Sequence, residues 1–385
     1  MIPIDPATTR RILIRANNWI GDVVMISPAV LAIRERFSRA RIAMVAKAWV
    51  LEALGGNPCF DELIEYEPDG LHAGIAGRLR LARALRRGEP FDLAVLFQKA
   101  FDAAVVARLA GARLRVGYAT DARSALLTHA LPLPAEGTHH AEVFLGLARA
   151  LGCAVRDPLP FFHLSKEDRA RASALIERSP FPGAGPRIAI HPGASKGPRA
   201  WHPDRYAALA RDLHASLGAR ILLIGGPEES ALLDSLAGQL KGVPCFVPDP
   251  SAHLKVVAGL LAECDLFVGN DSGPMHLAAA LRVPTIGIFG PGRGRTTGPL
   301  GAPGRVAVIE RDYPCAPCRQ DFFRECPPAP SGKPFCLEEI TVGEVAAAAR
   351  SLLVGGKDDS PGPSAPAPEQ PPRAEPPAEP PELVK

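Results

Sequence analysis

Residues 262–290 read AECDLFVGNDSGPMHLAAALRVPTIGIFG and predict a buried strand, a polar turn, a helix and a second strand. Pro274 suits the first turn of that helix, because proline needs no amide partner there. In an open parallel sheet, ligands bind where the strands end, and a helix N-terminus favours an anion. The residues placed to touch such a ligand are Asp271, Ser272, Gly273 and His276. The alternative is a capped helix whose carboxylate and imidazole satisfy only local backbone groups.

Length and composition favour a soluble protein that is large enough for two domains. The 385 residues are 47% hydrophobic and 22% charged, which is ordinary for an α/β protein. No apolar run approaches a membrane span, and the N-terminus lacks a signal-peptide core, so we predict a cytoplasmic protein. Residues 357–385 carry 6 acidic and 3 basic residues, so the remaining body has a charge of +3 − (−3) = +6. This charge suits phosphorylated ligands or an anionic membrane surface, and we predict no nucleic-acid partner.

Strands and helices alternate through two successive halves of the chain. A strand at Arg11–Arg15, a helix at Val23–Phe37 and a strand at Arg41–Val45 open the first half. We therefore predict the α/β fold class, with two Rossmann-like β/α/β domains facing a central cleft. The predicted boundaries are 1–160 for the N-terminal domain, 161–186 for the connection, 187–355 for the C-terminal domain and 356–385 for a disordered, proline-rich tail.

Asp22 lies where the first strand turns into a helix, and its position alone leaves two roles open. A carboxylate there either caps the helix or faces the cleft between the domains. Lys99, Arg115 and Arg123 follow strands or strand-like runs, so they are the candidates for holding an anionic acceptor. The arginines of the predicted helix Ala73–Arg87 are typical of a solvated face.

Three strand-to-helix turns in the second half carry complementary polar groups. The first has donors suited to a pyrophosphate, namely Ser195, Lys196 and Arg199. The second has acceptors suited to ribose hydroxyls, namely Glu228 and Glu229. Together with the turn at 271–276, they predict a nucleotide-diphosphate pocket. No Asp-x-Asp pair occurs, so we expect basic groups and a helix end, rather than Mg²⁺, to neutralise the leaving group.

Four separated segments together resemble one known family. They read, in chain order, NWIGDVVMISPA, IHPGASKGPRAWHPDRY, GGPEES and VGNDSGPMHLAAAL. This set is similar to the ADP-heptose:lipopolysaccharide heptosyltransferases of glycosyltransferase family nine, which have the GT-B architecture. The first segment is closest to the heptosyltransferase II branch. The resemblance implies an inverting, metal-independent transfer of heptose from ADP-heptose to a sugar hydroxyl of the lipopolysaccharide inner core, with no cofactor.

The resemblance also implies roles for particular residues. Asp22 matches the catalytic general base, and Ser195 and Arg199 match the loop that holds the pyrophosphate. Glu229, with Glu228 as the alternative, matches the acid that binds ribose, and the turn at 271–276 matches the site of the donor sugar and phosphate. The implied partners are the nucleotide-sugar donor and a phosphorylated, lipid-linked oligosaccharide acceptor. The implied location is the cytoplasmic face of the inner membrane, with peripheral contact.

The sequence leaves two other functions open. A nucleotide-sugar epimerase on the same fold would need acid and base groups on both faces of the sugar, and one well-placed carboxylate is present. A non-catalytic nucleotide-sugar-binding protein would have no need of Asp22.

Four clustered cysteines also leave two interpretations open. They have the spacing C-x2-C-x7-C-x9-C and are Cys315, Cys318, Cys326 and Cys336. The first pair has metal-ligand spacing, which makes a structural zinc site one interpretation. Reduced structural thiols in a cytoplasmic loop are the other.

Overall fold

Two parallel sheets, one in each half of the chain, form the framework of the protein. The computed structural model describes residues 2–179, 181–318, 322–324 and 326–355. The first sheet contains β1 (Arg11–Arg15), β2 (Arg41–Ala46), β3 (Glu62–Glu65), β4 (Leu93–Leu96), β5 (Leu114–Tyr118) and β6 (His129–Leu131). The second contains β7 (Arg187–His191), β8 (Arg220–Leu223), β9 (Cys245–Phe246), β10 (Leu266–Asn270), β11 (Thr285–Ile288) and β12 (Val306–Ile309). The two-domain α/β prediction is confirmed.

The two sheets have the same strand order. The first runs β3-β2-β1-β4-β5-β6, and the second runs β9-β8-β7-β10-β11-β12. All neighbouring strands pair in parallel, with β1 between β2 and β4, and β7 between β8 and β10. The order reverses between β1 and β4 and between β7 and β10, and ligands of open α/β sheets bind at such reversals. The loops after these four strands therefore define where a site is expected.

Helices cover both sheets and connect their strands. In the first half they are α1 (Ile20–Met25), α2 (Ser27–Arg36), α3 (Ala48–Leu54), α4 (Gly74–Arg86), α5 (Phe101–Leu109) and α6 (His140–Ala150). In the remainder they are α7 (Lys166–Arg178), α8 (Pro203–Leu217), α9 (Ser230–Gln239), α10 (Leu254–Ala262), α11 (Gly273–Ala280), α12 (Gly294–Thr297), α13 (Phe335–Glu338) and α14 (Val342–Gly355). None of the helices described in these ranges combines the length and apolar character needed to cross a bilayer.

The predicted helix Val23–Phe37 is wrong in one respect, because the structure divides it into α1 and α2. Pro28 has no amide hydrogen to bond the carbonyl of Val24, so the helical ladder cannot continue through it. The hydroxyl of Ser27 instead donates to that carbonyl over 2.7 Å. The break lets α1 take its own direction at the end of β1.

The two halves meet where α1 contacts α11. A Cβ atom at Gly21 would lie 2.8 Å from the ring of His276, and one at Gly273 would lie 1.7 Å from Cγ2 of Ile20. Both glycines therefore allow backbone to approach a neighbouring side chain closely. Val24 of α1 is buried in the same apolar cluster as Met275 of α11. The two helices that begin at the reversal points are thus in direct contact.

The predicted connection 161–186 contains α7, which packs against α10 of the second half. Ser165 and Asp168 form a reciprocal capping box at its start. A Cβ at Gly259 would lie 2.6 Å from Cβ of Ala172, so the two helices pack closely. The exact domain boundaries stay predictions, and the predicted tail, 356–385, lies outside the described residues.

Candidate active site

A cavity of ≈ 270 Å³ opens at the reversal point of the first sheet. Three segments line it: the loop after β1 that leads into α1, the loop after β4, and one side of α6. The lining residues are Asn17, Asn18, Trp19, Asp22, Gln98, Lys99, His140, Val143 and Phe144. The predicted base and one predicted acceptor-binding cation therefore share one polar cavity.

Asp22 is not the cap of α1, which was one of its two predicted roles. The capping position is Trp19, which makes no side-chain capping hydrogen bond, and Asp22 lies within the first turn. Burial raises the pKa of the Asp22 carboxyl. A hydrogen bond from Asn17 and the charge of Lys99 favour the ionised form and oppose this effect only in part. A half-buried carboxylate beside a cation can accept a proton from a hydroxyl group bound in this cavity.

Trp19 and His140 also line the cavity, and neither was predicted as a site residue. Trp19 is 68% exposed, so its ring offers an open apolar face three residues before Asp22. Burial and the nearby Lys99 lower the pKa of His140, while Asp271 of the second half raises it. His140 therefore lies close to charged groups on both sides of the cleft. The Asn-Trp dipeptide was a visible signal for Trp19, but α6, which carries His140, was not predicted.

On the opposite side of the cleft, Arg199 pairs with Asp271. The guanidinium contacts a carboxylate oxygen of Asp271 and donates from Nη2 to its backbone carbonyl at 3.3 Å. Burial raises the pKa of Asp271, an effect that the charge and hydrogen bond of Arg199 oppose. Ser195 and Lys196 are exposed on the same loop, with Nζ of Lys196 5.6 Å from the ring centre of Phe322. The structure thus joins the first and third turns through Arg199 and Asp271.

His191, at the end of β7, joins the second and third turns. Its Nε2 lies 3.2 Å from Oε2 of Glu229, and its Nδ1 lies 3.1 Å from Oγ of Ser272. The amide of Gly226 also donates to Oε2 of Glu229, over 2.8 Å. Burial by itself would raise the pKa of Glu229, but the hydrogen bonds from His191 and Gly226 outweigh it and lower the pKa. Sequence reasoning placed His191 at a strand end and gave it no role.

The loops after β7, β8 and β10 form the crevice of the second half. Asn270 holds the loop after β7 in place. Its side chain is fully buried, and Oδ1 accepts from the amide of Trp201 at 2.8 Å and from the hydroxyl of Tyr206 at 3.0 Å. Its Nδ2 donates to the carbonyls of Pro192 at 3.0 Å and Gly193 at 2.9 Å. The first residue of the Asn-Asp-Ser-Gly turn is therefore structural, and it fixes the backbone of the neighbouring loop that carries Ser195.

His276, predicted to touch the ligand, lies beneath the contact between α1 and α11. Its ring faces Gly21, and burial together with nearby His139 and His140 lowers its pKa to about 3. The imidazole is therefore neutral at neutral pH. Direct contact of His276 with a ligand stays a prediction.

Three other predicted site residues lie apart from the crevice groups. Arg123 is fully buried, and its guanidinium holds the carbonyls of Tyr118 and Gln98, so it supports the cavity loop instead of contacting a ligand. Arg115 donates to the carbonyl of Leu126, after β5, over 2.7 Å and to that of Ala112, before β5, over 2.6 Å, so it connects the segments on either side of this strand. The prediction that Arg123 contacts the acceptor is corrected accordingly, whereas the role of Arg115 stays a prediction. Glu228 is exposed beside the more buried Glu229, which favours Glu229 as the functional acid.

The four clustered cysteines converge on one small apolar cavity. Cys315, Cys318, Cys326 and Cys336 all line it, together with aromatic side chains. Burial raises the pKa of the Cys336 thiol to about 11. Within the described residues, no group of three or more His, Cys, Asp or Glu side chains has an arrangement that could hold a metal ion. Both interpretations of the four cysteines, the zinc site and the reduced thiols, stay predictions.

A profile of one protein family, described as glycosyltransferase family 9 (heptosyltransferase), matches residues 78–326. The chain belongs to glycosyltransferase family 9. It is 28% identical over 315 residues to lipopolysaccharide heptosyltransferase 2 of Salmonella typhimurium, covering 79% of this chain and 89% of that protein. This family 9 chain is therefore a glycosyltransferase, and its relatives of type 2 agree with the predicted branch.

Solved structures of family 9 proteins share the fold. The structure of the ADP-heptose lipopolysaccharide heptosyltransferase II of Escherichia coli superposes with a TM-score of 0.73 at 25% identity, covering 90% of this chain and 99% of that one. The glycosyltransferase family 9 protein of Veillonella parvula superposes with a TM-score of 0.80 at 22% identity, covering 92% and 99%. The GT-B prediction is thus confirmed across both halves.

Proposed function

We propose that this glycosyltransferase moves heptose from ADP-heptose to a sugar hydroxyl of the lipopolysaccharide inner core, with inversion at the anomeric carbon. The acceptor oxygen forms a bond to the anomeric carbon while the bond from that carbon to the β-phosphate oxygen breaks. Asp22 takes the hydroxyl proton, and ADP leaves from the opposite face of the sugar. The transition state resembles an oxocarbenium ion, which a carboxylate close by also stabilises.

The observation that carries this proposal is the position of Asp22 in a polar cavity directly beside the second-half crevice. The cavity also holds Lys99, a cation suited to a phosphate on the acceptor, and the exposed ring of Trp19, on which a sugar can stack. Asp22 lies on α1, and Asp271, the partner of Arg199, lies just before α11, the helix that α1 contacts. An acceptor in the cavity would therefore face a donor in the crevice.

Leaving-group stabilisation by protein groups alone is part of the proposal. Arg199 contacts Asp271 through Nη2, so its other nitrogens would bind the pyrophosphate while Asp271 holds the guanidinium in place, and Lys196 on the same exposed loop adds a second charge. The amides at the start of α11 add the positive end of a helix dipole. These groups would offset the charge that develops on ADP without a divalent ion.

The test is mass spectrometry of the product formed from ADP-heptose and purified inner-core acceptor. We expect one added heptose and one ADP released per turnover, at an unchanged rate in excess EDTA. A donor altered in the absence of acceptor would indicate an epimerase instead. A rate that EDTA abolishes and Mg²⁺ restores would contradict the metal-independent step.

We also propose that α4 holds the enzyme at the anionic cytoplasmic surface of the inner membrane. Ile75, in the first turn of this helix, and Leu71, just before it, are 79% and 51% exposed. Arg83, Arg86 and Arg87 extend the exposed side, and the sequence has no acidic residue between His72 and Gly88. Exposed apolar side chains beside unbalanced positive charge are typical of helices that lie on anionic lipid. Such docking would bring a lipid-linked acceptor to the cavity.

A further inference from the structure

His191 is a buried imidazole with a partner on each ring nitrogen and no role in the proposed transfer. Its side chain is only 5% exposed. It is therefore shielded from solvent and has almost no surface with which to contact a ligand directly. Both of its partners, Glu229 and Ser272, lie in the crevice at the reversal point of the second sheet. The three residues come from the ends of β7 and β10 and from the turn before α9.

The hydrogen-bond partners determine which atoms of this group donate and which accept. Glu229 has a lowered pKa and is a carboxylate, so it can only accept, and Nε2 of His191 must carry a hydrogen. In the neutral imidazole, Nδ1 then accepts, and the hydroxyl of Ser272 is its donor at 3.1 Å. If the imidazole is protonated, Nδ1 donates to Oγ and the hydroxyl turns to the carbonyl of Asn270, also at 3.1 Å. In both states the hydroxyl hydrogen of Ser272 is used within the protein.

Two glycines leave room for the carboxylate that His191 holds. A Cβ at Gly193 would lie 1.5 Å from Oε1 of Glu229, and one at Gly225 would lie 2.7 Å from Oε2. The carboxylate therefore lies directly on the loop backbone that leads to Ser195. The amide of Gly226 fixes Oε2 together with His191, which restricts the rotation of the whole group.

Building on the proposed use of ADP-heptose, we propose that His191 is a positioning residue that fixes Glu229 for the ribose hydroxyls and turns the hydroxyl of Ser272 inward. Glu229 then discriminates for a nucleotide with free ribose hydroxyls. The phosphates meet the backbone amides at the start of α11 and not the Ser272 hydroxyl. His191 acts on the ligand only through these partners.

The experiment is calorimetric titration of the full-length protein with ADP and with 2′,3′-dideoxy-ADP. We expect the wild type to prefer ADP by roughly tenfold or more, since hydrogen bonds to a charged group carry this preference. In His191→Asn, whose amide reaches only the position of Nδ1, the preference should fall toward one. In His191→Gln, whose amide reaches the position of Nε2, most of it should remain. Ser272→Ala should change ADP affinity by less than about threefold, because its hydroxyl makes no phosphate contact.

His214→Ala is the matched control. This histidine lies in the same half of the chain, and its Nδ1 bonds the carbonyl of Ala219. It should keep the wild-type preference. If His191→Asn and His191→Gln both keep that preference, or both lose it equally, the positioning role is wrong while the proposed function stands. If the wild type does not bind ADP at all, the proposed function fails first and this inference fails with it.

Discussion

At the scale of single residues, Asp22 is the proposed general base, and its substitution separates catalysis from stability. Asp22→Asn keeps the size of the side chain but cannot take the acceptor proton, so turnover should fall by roughly 10²–10⁴. Burial raises the pKa of this carboxyl, so the ionised form costs the folded state free energy at neutral pH. The melting temperature of Asp22→Asn at pH 7 should therefore equal or exceed that of the wild type.

Turnover, ADP affinity and melting temperature are measured on the same preparation of Asp22→Asn. Its ADP affinity should match the wild type, whereas Asp271→Asn should bind ADP more weakly, because it disturbs the partner of Arg199. Full turnover by Asp22→Asn would show that another group is the base.

His276 gives a second prediction at this scale, on the acid side. Its pKa is about 3 in the folded protein against an ordinary value of 6.5. Between these values the unfolded chain binds a proton that the folded chain does not, so stability falls as pH falls below 6.5. One such group contributes at most about 1.4 kcal/mol per pH unit. His276→Gln should therefore lose less of its own pH 7 stability on going to pH 5 than the wild type does, as measured by urea unfolding; equal losses would contradict the assignment.

At the scale of secondary-structure elements, much of the framework could be predicted from the sequence. The runs at Leu266–Asn270 and Arg187–His191 are apolar, short and followed by turn residues, so both strands and the crevice at their ends were evident. The His191 network was not, because its partners lie 38 and 81 residues away and only the strand order brings them together. The division of the first helix had a local signal in Ser27-Pro28, which the apolar spacing around it obscured.

The contact between α1 and α11 gives a prediction for these elements. Gly21→Ala places a methyl group 2.8 Å from the ring of His276, so the helices must separate slightly. Because a displacement near 1 Å can cost about 10²-fold in rate, we expect turnover to fall by about that factor while both halves stay folded. The assay is steady-state turnover together with the radius of gyration from small-angle X-ray scattering.

Gly238→Ala is the control for that substitution. It is also a helical glycine, and no atom lies within 4 Å of its added Cβ. It should keep wild-type turnover and gain stability from the lower backbone entropy of the unfolded chain. Normal turnover in Gly21→Ala would show that the spacing of the two helices does not control the reaction.

At the scale of the whole molecule, membrane docking through α4 predicts binding that depends on lipid charge. Changing Arg83, Arg86 and Arg87 together to Gln removes three charges worth about 1 kcal/mol each near an anionic surface. Partitioning onto phosphatidylglycerol vesicles should fall by about two orders of magnitude, while turnover on a soluble acceptor is unchanged.

The matching control changes Arg169, Arg171 and Arg178 to Gln. These three arginines are exposed on α7, a helix that also carries Glu167 and Glu177. This triple variant should bind the vesicles as the wild type does. Vesicle flotation of both variants decides the point, and equal losses would mean that binding reflects net charge alone.

The repeated strand order has a consequence for how such enzymes diversify. Each half supplies its own sheet and its own loops at a reversal point, so a recombination event in the connection would exchange acceptor choice and donor choice as separate inheritable units. The contact between α1 and α11 limits which hybrids can fold, because Ile20 and Val24 from one parent must fit against Gly273 and Met275 from the other. Hybrids whose parents share those four residues should be the productive ones, whatever the divergence elsewhere in their sequences.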